Sequence, residues 1–424
     1  MLQLFTQAFN YGLSDNIGVG VLKSYLSKEG YDVKVSYIED GIEDHVIKQI
    51  IDFKFKVFGF SMYQTDIDLF IRIINILREN IPDAIIVLGS SFATAYYDDI
   101  FNDSQFNNVD YIILGDGEET LLELIRYVEE GRDLNALLSK NKHIASRKWL
   151  IKKIPAISDI NKVPMPERRQ IDYSYSHVYI SDSKGCVANC SFCTHKSYNK
   201  KWQGKSAYNL FNEVIQTHSE LGVRNFSFTA GSFEDPGKMG KERIREFCEY
   251  IISAKIKFSF SCFIRAESFK DNEDDRKLIS LMKKAGFVNM MIGIESGNDE
   301  DLLLYNKKAN VNDNYSILNL FQSLDLYGSM GFIMFNPYTT KEKLRKNYRF
   351  LTYFKHPEIY HFFNILNIHK KTAIYDKVKS DGLLVDEGLF YLRDGYKFVF
   401  LNSEIQELWD YINGKKSNHS IRNS

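Results

Sequence analysis

Residues 184–195 read KGCVANCSFCTH, and this short stretch determines how the rest of the chain is interpreted. Its three cysteines, Cys186, Cys190 and Cys193, fall within eight residues, while the other two lie far along the chain. In a reducing compartment, clustered thiols hold a metal more often than they form disulfides. Iron–sulfur clusters normally take four cysteines, so three would leave one iron open to a substrate or cofactor. The alternative is a structural zinc with His195 as the fourth ligand.

The cysteine stretch follows the first strand of a repeated strand–helix pattern. The predicted strands lie near 177–182, 225–230, 257–263, 288–295, 329–335 and 359–366. Helical patterns lie near 205–221, 238–254, 272–285, 313–326 and 340–355. Six such units predict a partial or open version of the (β/α)8 barrel, whose site residues lie in the loops after the strands.

The N-terminal part has its own alternation of strands and helices. Strands are predicted at Leu2–Ala8, Val33–Ile38, Val57–Ser61, Ile85–Gly89 and Tyr111–Gly115. Helices are predicted near 17–29, 43–52, 66–80 and 119–131. This order predicts a doubly wound parallel sheet, whose ligand crevice lies at the carboxyl ends of the strands. The small and polar residues there fit either a ligand site or tight turns, and no G-x-G-x-x-G or Walker A sequence supports a nucleotide.

Composition sets the broad class. The 424 residues are 44% hydrophobic and 26% charged, with a net charge of −1, so we expect a globular protein that binds neither nucleic acid nor a membrane. The start of the chain predicts no secretory signal, which favours a cytoplasmic location.

Three of the seven prolines lie at 155–166 and mark a linker. The predicted domains are residues 1–135, a linker at 136–175, a barrel at 176–370 and a small C-terminal cap at 371–424.

The motif C-x3-C-x2-C, with Phe192 before its last cysteine, resembles the signature of the radical SAM superfamily. Gly293–Gly297 (GIESG) and the following Asn306-Lys307 resemble further segments of that family. The resemblance implies a partial (β/α)6 barrel in which the three cysteines hold a 4Fe–4S cluster that binds S-adenosylmethionine (SAM). It also implies a set of SAM-flanking residues, namely Phe192, Ala230, Gly231, Ser261, Arg265, Glu295, Ser296 and Ile333.

The first domain is similar to the cobalamin-binding domain that precedes many radical SAM barrels. The resemblance implies that cobalamin is bound by residues at the ends of the third to fifth strands, namely Ser61, Gln64, Thr65, Gly89, Ser90, Gly115, Gly117 and Glu118. The D-x-H-x-x-G motif is missing, so we expect no histidine of this domain to ligate cobalt. The alternative is that the domain serves only as a scaffold.

These resemblances imply a cobalamin-dependent radical SAM methyltransferase. Its 5′-deoxyadenosyl radical would abstract hydrogen from an unactivated carbon of a peptide or small metabolite, and methylcobalamin would supply the methyl group. The electron donor would be a flavodoxin or ferredoxin.

A radical SAM peptide epimerase, cyclase or rearrangement enzyme is the main alternative, in which Cys262 could donate a hydrogen atom. A methylthiotransferase is disfavoured because no cysteine precedes Cys186. A zinc-stabilised binding module is the non-enzymatic alternative.

Overall fold

A computed structural model describes residues 2–7, 16–39, 41–150, 159–168, 177–195, 201–326, 328–354, 358–385, 390 and 395–414. The chain forms two compact units. The first comprises residues 1–187, 195–263 and 280–288, and the second comprises residues 188–194, 264–279 and 289–424. The predicted domain boundaries remain predictions. None of the helices within the described ranges combines the length and apolar character that a membrane span requires.

The first unit begins with a six-stranded sheet. Its strands are β1 Leu2–Gln7, β2 Val33–Ile38, β3 Val57–Ser61, β4 Ile85–Gly89, β5 Tyr111–Ile113 and β6 Ile144–Ala145. The order is β2-β1-β3-β4-β5-β6, and every pair is parallel except the antiparallel pair β5–β6. The predicted doubly wound parallel sheet is confirmed. Because the order reverses at β1 and β3, the ligand crevice of such a fold lies at their carboxyl ends.

Six helices accompany this sheet: α1 Ile17–Lys28, α2 Asp44–Ile50, α3 Ile67–Asn80, α4 Ser91–Asn102, α5 Glu118–Glu129 and α6 Leu134–Lys140. Helix α4 was not predicted, because its sequence is rich in aromatic residues that favour strands and its backbone is kinked at Tyr96. Helix α6 overlaps the start of the predicted linker at 136–175, and β6 lies within that linker. Apolar side chains of α1, α5, α6 and the strands form one buried core, which includes Leu4, Leu124 and Ile144.

Glu167 and Arg168 of the predicted linker are tightly packed within the first unit. The Glu167 amide donates to the Gly20 carbonyl over 3.0 Å, and a side chain on Gly20 would lie 2.5 Å from the Glu167 carbonyl oxygen. The next residue, Arg168, donates to the Tyr179 carbonyl over 2.9 Å and lies 3.2 Å from the Glu213 carboxylate. The Arg168 and Glu213 side chains are 3% and 2% exposed. Two successive linker residues therefore anchor two different parts of the unit.

The second half of the first unit contains β7 Val178–Ile180, β8 Ser183–Lys184, β9 Gln203–Gly204, α7 Ala207–Leu221, β10 Asn225–Phe228, α8 Gly237–Ser253 and β11 Ser259–Arg265, whose last two residues belong to the second unit. Strand β10 pairs in parallel with β7 and β11, and β8 pairs antiparallel with β9. The rings of Phe228 and Phe260 stack on each other, and Phe247 of helix α8 packs edge-on against both in the core between strands and helix. The predicted parallel βα units are confirmed here.

The remaining elements are α9 Glu273–Ala285, β12 Phe287–Glu295, α10 Asp299–Leu304, α11 Val311–Ser323, β13 Met330–Phe332, α12 Lys341–Tyr353, α13 Ala373–Ser380 and α14 Ser403–Ile412. Strand β12 pairs in parallel with β13, with a register shift between Gly293 and Glu295. The predicted strand at 359–366 is wrong. That segment forms a 3-10 helix at Ile359–Phe362 and one parallel bridge between Phe335 and Ile365, and Ile359 is 78% exposed, so it lacks the burial that favours a strand.

Candidate functional site

A cavity of the first unit lies at the carboxyl ends of the N-terminal strands. Its volume is about 390 Å³, which is within the range of small-molecule sites. On the N-terminal side, the lining comes from the start of α1 and from the ends of β3, β4 and β5, and it includes Asn16, Gly18, Ser61, Tyr63, Gly89, Ser90, Thr94, Gly115, Asp116, Gly117 and Glu118. These are the loops where the parallel-sheet topology predicts a ligand.

Six of the residues predicted to bind cobalamin line this cavity: Ser61, Gly89, Ser90, Gly115, Gly117 and Glu118. The other two, Gln64 and Thr65, do not. Thr65 is exposed, and its hydroxyl donates to the Asp66 carboxylate over 2.7 Å. A side chain on Gly89 would meet no atom within 4 Å, so this glycine leaves space that a ligand can use. The cavity residues therefore fit a bound cofactor.

Asn16, at the start of α1, connects three parts of the cavity wall. Its side-chain amide donates to Thr6 Oγ1 over 3.0 Å and to Ser61 Oγ over 2.8 Å. Its side-chain oxygen accepts from the Val19 amide over 3.1 Å and so caps α1. One side chain thereby fixes the ends of β1 and β3 against the first turn of the helix.

Ser90 takes a backbone conformation that glycine favours. Its φ is 129° and its ψ is 175°, a region that costs a residue with a side chain about 1–3 kcal/mol. Its hydroxyl donates to the Met62 carbonyl and accepts from the Ala93 amide over 3.2 Å, which caps α4. Glycine would adopt this turn without strain, and here hydrogen bonds of the serine hold it.

The opposite wall of the cavity comes from the barrel strands of the same unit, through Ser181, Ser183, Lys184, Gly185, His195, Lys205, Thr229 and Ala230. Lys184 forms an ion pair with Asp116 across the cavity wall. Burial raises the pKa of Glu118, and the nearby Lys184 ammonium opposes that rise. Burial lowers the pKa of His195, so the neutral imidazole is favoured there. The cavity thus joins the N-terminal loops to the segment that leads into Cys186.

Asp182 is a fully buried carboxylate beside this wall. It accepts a hydrogen bond from the Ala230 amide over 3.1 Å and lies 3.8 Å from the Arg243 guanidinium. Burial raises the pKa of Asp182 to about 6, although Arg243 acts in the opposite direction. Arg243 also donates to the Phe233 carbonyl. The pair fixes the backbone of the segment that contains the predicted SAM-flanking residues Ala230 and Gly231.

In the second unit, residues 188–194 of the cysteine stretch are held by the chain that follows α10. The Ser191 amide donates to the Tyr305 carbonyl over 2.9 Å, and its hydroxyl donates to the Leu304 carbonyl over 2.8 Å. The Asn306 side chain donates to the Asn189 carbonyl over 2.7 Å. Phe192 packs edge-on against Tyr305 with ring centroids 5.5 Å apart. Asn306 therefore supports the stretch that carries the thiols.

The three clustered cysteines are all half-buried, and none of them forms a disulfide. Three thiols on one short loop are a donor set that suits an iron–sulfur cluster. Within the described ranges, no three His, Cys, Asp or Glu side chains are arranged closely enough to hold a metal ion. Metal ligation by Cys186, Cys190 and Cys193 therefore remains a prediction from the sequence.

Three other SAM-flanking candidates have defined partners. Ser261 shares a 2.7 Å hydrogen bond with Ser227 in the first unit. In the second unit, Arg265 lies 2.8 Å from Glu267, and Glu295 lies 3.6 Å from Lys307.

The last two candidates also lie in the second unit. Ser296 is fully buried, and its hydroxyl lies 3.0 Å from Asn347 Oδ1. Ile333 is half-buried and packs with Phe192 against a core that includes Tyr305. Their contacts with SAM remain predictions.

Cys262 lies on the buried face of β11 with Phe260 and Ile264, and it is 3% exposed. Ser261 and Arg265 occupy the other, more accessible face of that strand. Burial raises the pKa of the Cys262 thiol well above its usual range. Its role as a hydrogen-atom donor remains a prediction, and this placement disfavours direct contact with a substrate.

The residues that hold the backbone of the site in place were not identified from the sequence. Asp182, Lys184 and Arg243 were not singled out, nor was the support of the cysteine stretch by Asn306. A polar triplet around Asp182, directly before the cysteine motif, was the available signal. A buried strand end rarely carries a carboxylate without a bound partner.

Comparison with known protein families gave two matches. A model of the B12 binding domain matches residues 11–125, and a model of the radical SAM superfamily matches residues 180–351. The first range contains the N-terminal wall of the cavity, and the second contains the three cysteines and the barrel wall.

Curated relatives with different activities are similar to this chain. It is 30% identical over 241 residues to anaerobic magnesium-protoporphyrin IX monomethyl ester cyclase of Synechocystis, covering 54% of this chain and 46% of that protein. It is 23% identical over 364 residues to 4′-phospho-dehydrooxetanocin synthase of Priestia megaterium, covering 79% and 48%. It is 23% identical over 285 residues to an uncharacterized methyltransferase of Pyrococcus horikoshii, covering 65% and 60%. The chain spans about half the length of the curated relatives it matches.

Two solved structures show the same fold. The cobalamin-dependent SAM radical enzyme OxsB with aqua-cobalamin bound has a TM-score of 0.81 at 18% identity, covering 97% of this chain and 66% of that one. The radical SAM methyltransferase TsrM from Kitasatospora setae, with cobalamin and a [4Fe-4S] cluster bound, has a TM-score of 0.65 at 16% identity, covering 82% and 72%.

Proposed function

Because the chain is a radical SAM protein with an N-terminal B12-binding domain, we propose that it is a cobalamin-dependent methyltransferase that acts on an unactivated carbon of a peptide or small metabolite. The cofactors of these two domains are a 4Fe–4S cluster with SAM, and cobalamin. One observation carries the proposal. Loops of the B12-binding domain and the barrel residues that lead into Cys186 line a single cavity.

The chain's own residues have separate tasks in this function. Cys186, Cys190 and Cys193 would hold the cluster, while the ends of β3, β4 and β5 would hold the cobalamin. When bound, these groups supply reductive cleavage of SAM to a 5′-deoxyadenosyl radical and transfer of a methyl group. Asp182 and Arg243 keep the backbone around Ala230 in place. The apolar cavity wall, with residues such as Leu4 and Val87, excludes water from the reactive groups.

Cyclisation or rearrangement is the second candidate. It is supported by the relatives named as a cyclase and a synthase, both of which are similar to this chain over more than half of its length. In that case cobalamin would occupy the same cavity without serving as a methyl donor. The substrate would again be a peptide or small metabolite, with electrons from a flavodoxin or ferredoxin.

The experiment that separates the candidates does not need the substrate. Protein purified without oxygen is reconstituted with iron and sulfide, loaded with reduced cobalamin and incubated with deuteriomethyl-SAM. A methyltransferase regenerates its methyl donor, so we expect labelled methylcobalamin by mass spectrometry. Cleavage of SAM to 5′-deoxyadenosine without labelled methylcobalamin would favour the second candidate and contradict the first.

Metal analysis of the same preparation tests whether the chain binds an iron–sulfur cluster through the three clustered cysteines. We expect about four irons per chain in the wild type and in the matched control Cys248→Ala, and a large loss of iron in Cys193→Ala. Zinc without iron or sulfide would contradict both candidates and favour a zinc-stabilised binding module.

A further inference from the structure

Lys184 and Asp116 connect the two cofactor-binding segments of the first unit. Lys184 lies two residues before Cys186, and Asp116 lies between the cavity-lining residues Gly115 and Gly117. Their side chains form an ion pair and are only 22% and 20% exposed. The sequence motifs do not require this pair, and neither residue was among the predicted site residues.

Both partners are held in place by their own backbones. Lys184 belongs to β8, which pairs with β9 through Lys184 and Gln203. Gly185 has a φ of 78°, and a side chain there would lie 2.2 Å from the Lys201 carbonyl oxygen, so the segment between Lys184 and Cys186 is closely packed. Asp116 directly precedes Gly117, the N-cap residue of α5. Movement of either segment would therefore break the ion pair.

An ion pair of this kind differs from the exposed pairs on the same domain. Arg126 and Glu29 also form a pair, at 2.9 Å, but their side chains are 46% and 41% exposed. Exposed pairs contribute little because solvent screens them, whereas a partly buried pair between two fixed segments is screened less. Lys184 also acts on the half-buried Glu118, where its positive charge opposes the rise in the pKa of that carboxyl. The loop at residues 115–118, which lines the cavity, therefore interacts electrostatically with Lys184, a residue of the stretch that leads into Cys186.

We propose that the Lys184–Asp116 ion pair couples the two cofactor sites, so that SAM at the cluster and cobalamin in the cavity bind cooperatively. The proposal rests on the two cofactors of the proposed function but not on methyl transfer. A ligand that holds one segment in its paired position favours the paired position of the other, since the ion pair joins them. Such coupling is reciprocal, and typical values correspond to about 5- to 150-fold in affinity.

The test measures cobalamin affinity from the absorbance change of hydroxocobalamin on binding to the reconstituted full chain, with and without saturating SAM. We expect SAM to tighten binding by about five-fold or more in the wild type. In each of the variants Lys184→Met and Asp116→Asn, cobalamin affinity should be the same with and without SAM. The exchanged pair Lys184→Asp with Asp116→Lys should recover part of the coupling. Arg126→Met, on the same domain, is the matched control and should keep the wild-type ratio.

The outcomes distinguish this proposal from the proposed function. Equal cobalamin affinity with and without SAM in the wild type would overturn the coupling while leaving the methyltransferase intact. Full coupling in both single variants would show that the ion pair is not responsible. A wild type that binds no cobalamin would overturn both proposals. Circular dichroism of each variant checks that the fold is kept, and the exchanged pair tests the charge interaction if a single variant is destabilised.

Discussion

The Glu295 carboxylate lies 3.6 Å from the Lys307 ammonium, and their side chains are 15% and 4% exposed. Glu295 ends β12 with a φ of 64°, a left-handed conformation that is strained for a residue with a side chain. Burial raises the pKa of Glu295, and the Lys307 charge opposes that effect. Because Lys307 directly follows Asn306, which binds the cysteine stretch, the pair connects the end of β12 to the support of the cluster loop.

Lys307→Met should destabilise the protein by about 3 kcal/mol, because it leaves the Glu295 carboxylate buried without its nearest cation. The free energy of unfolding in urea measures the effect. The double variant Glu295→Gln with Lys307→Met should regain most of the loss, and the exposed Lys308→Met is the matched control. A loss in Lys307→Met no larger than in Lys308→Met would contradict the assigned role of the pair.

Replacing Ser90 tests the strained turn beside the cavity. Ser90→Ala keeps the unfavourable φ and loses both the helix cap and the bond to Met62, so we expect a loss of about 1–2 kcal/mol. Ser90→Gly loses the same bonds but relieves the strain, so its stability should lie within about 1 kcal/mol of the wild type. Thermal and urea unfolding measure the order of stability among the wild type, Ser90→Ala and Ser90→Gly. If the alanine variant is as stable as the glycine variant, the turn is not strained as described.

Asp182 should make stability depend on pH below neutrality. Its pKa of about 6 in the folded protein exceeds the unfolded value, so the folded state binds more protons between roughly pH 4 and 6. The stabilisation from this group is therefore present at low pH and is lost as the pH rises through 6. The wild type should lose roughly 3 kcal/mol relative to Asp182→Asn across that window.

Urea unfolding of both proteins from pH 4 to 7 measures this difference, with the exposed Asp83→Asn as the matched control. A difference in free energy of unfolding between wild type and Asp182→Asn that stayed constant with pH would contradict the burial argument. A difference that grew in favour of the wild type as the pH rises would also contradict it.

Gly89 tests whether the cavity holds cobalamin. Gly89→Leu places bulk in open space, so the fold should be kept while cobalamin affinity falls by about tenfold or more. Gly89→Ala is the graded control and should lose less. Affinity is read from the absorbance of bound hydroxocobalamin, and the melting temperature checks the fold. Wild-type affinity in the leucine variant would exclude this part of the cavity as the site.

The fold could be predicted largely from periodicity, because strands such as β3 and β4 are short, mainly apolar runs bounded by polar turns. Helix α4 could not, since its aromatic residues favour strands and only tertiary packing overrides that preference. The run near Ile359 failed for the opposite reason. Its side chains Ile359, Tyr360 and Phe363 are exposed, and a sequence does not show which apolar residues pack against a partner.

The candidate site divides in a similar way. Motif spacing identified the cavity glycines and the cysteine stretch, because each motif is local in the sequence. The Lys184–Asp116 pair joins residues 68 positions apart, and Asn306 reaches Asn189 across 117 positions. Contacts of this separation leave no periodic signal in one sequence, so only the folded arrangement reveals them. The same holds for Asp182, whose partners Ala230 and Arg243 come from later elements.

Glu167 and Arg168 also limit how the protein can be re-engineered. The first is joined to Gly20 in α1 and the second to Glu213 in α7, so this part of the linker is shared by both halves of the first unit. A chimera that exchanges only the N-terminal sheet and its helices would pair a foreign α1 with a native Glu167 carbonyl that tolerates no side chain at position 20. Productive grafts between relatives should therefore carry residues 159–168 together with their contact surfaces on both helices.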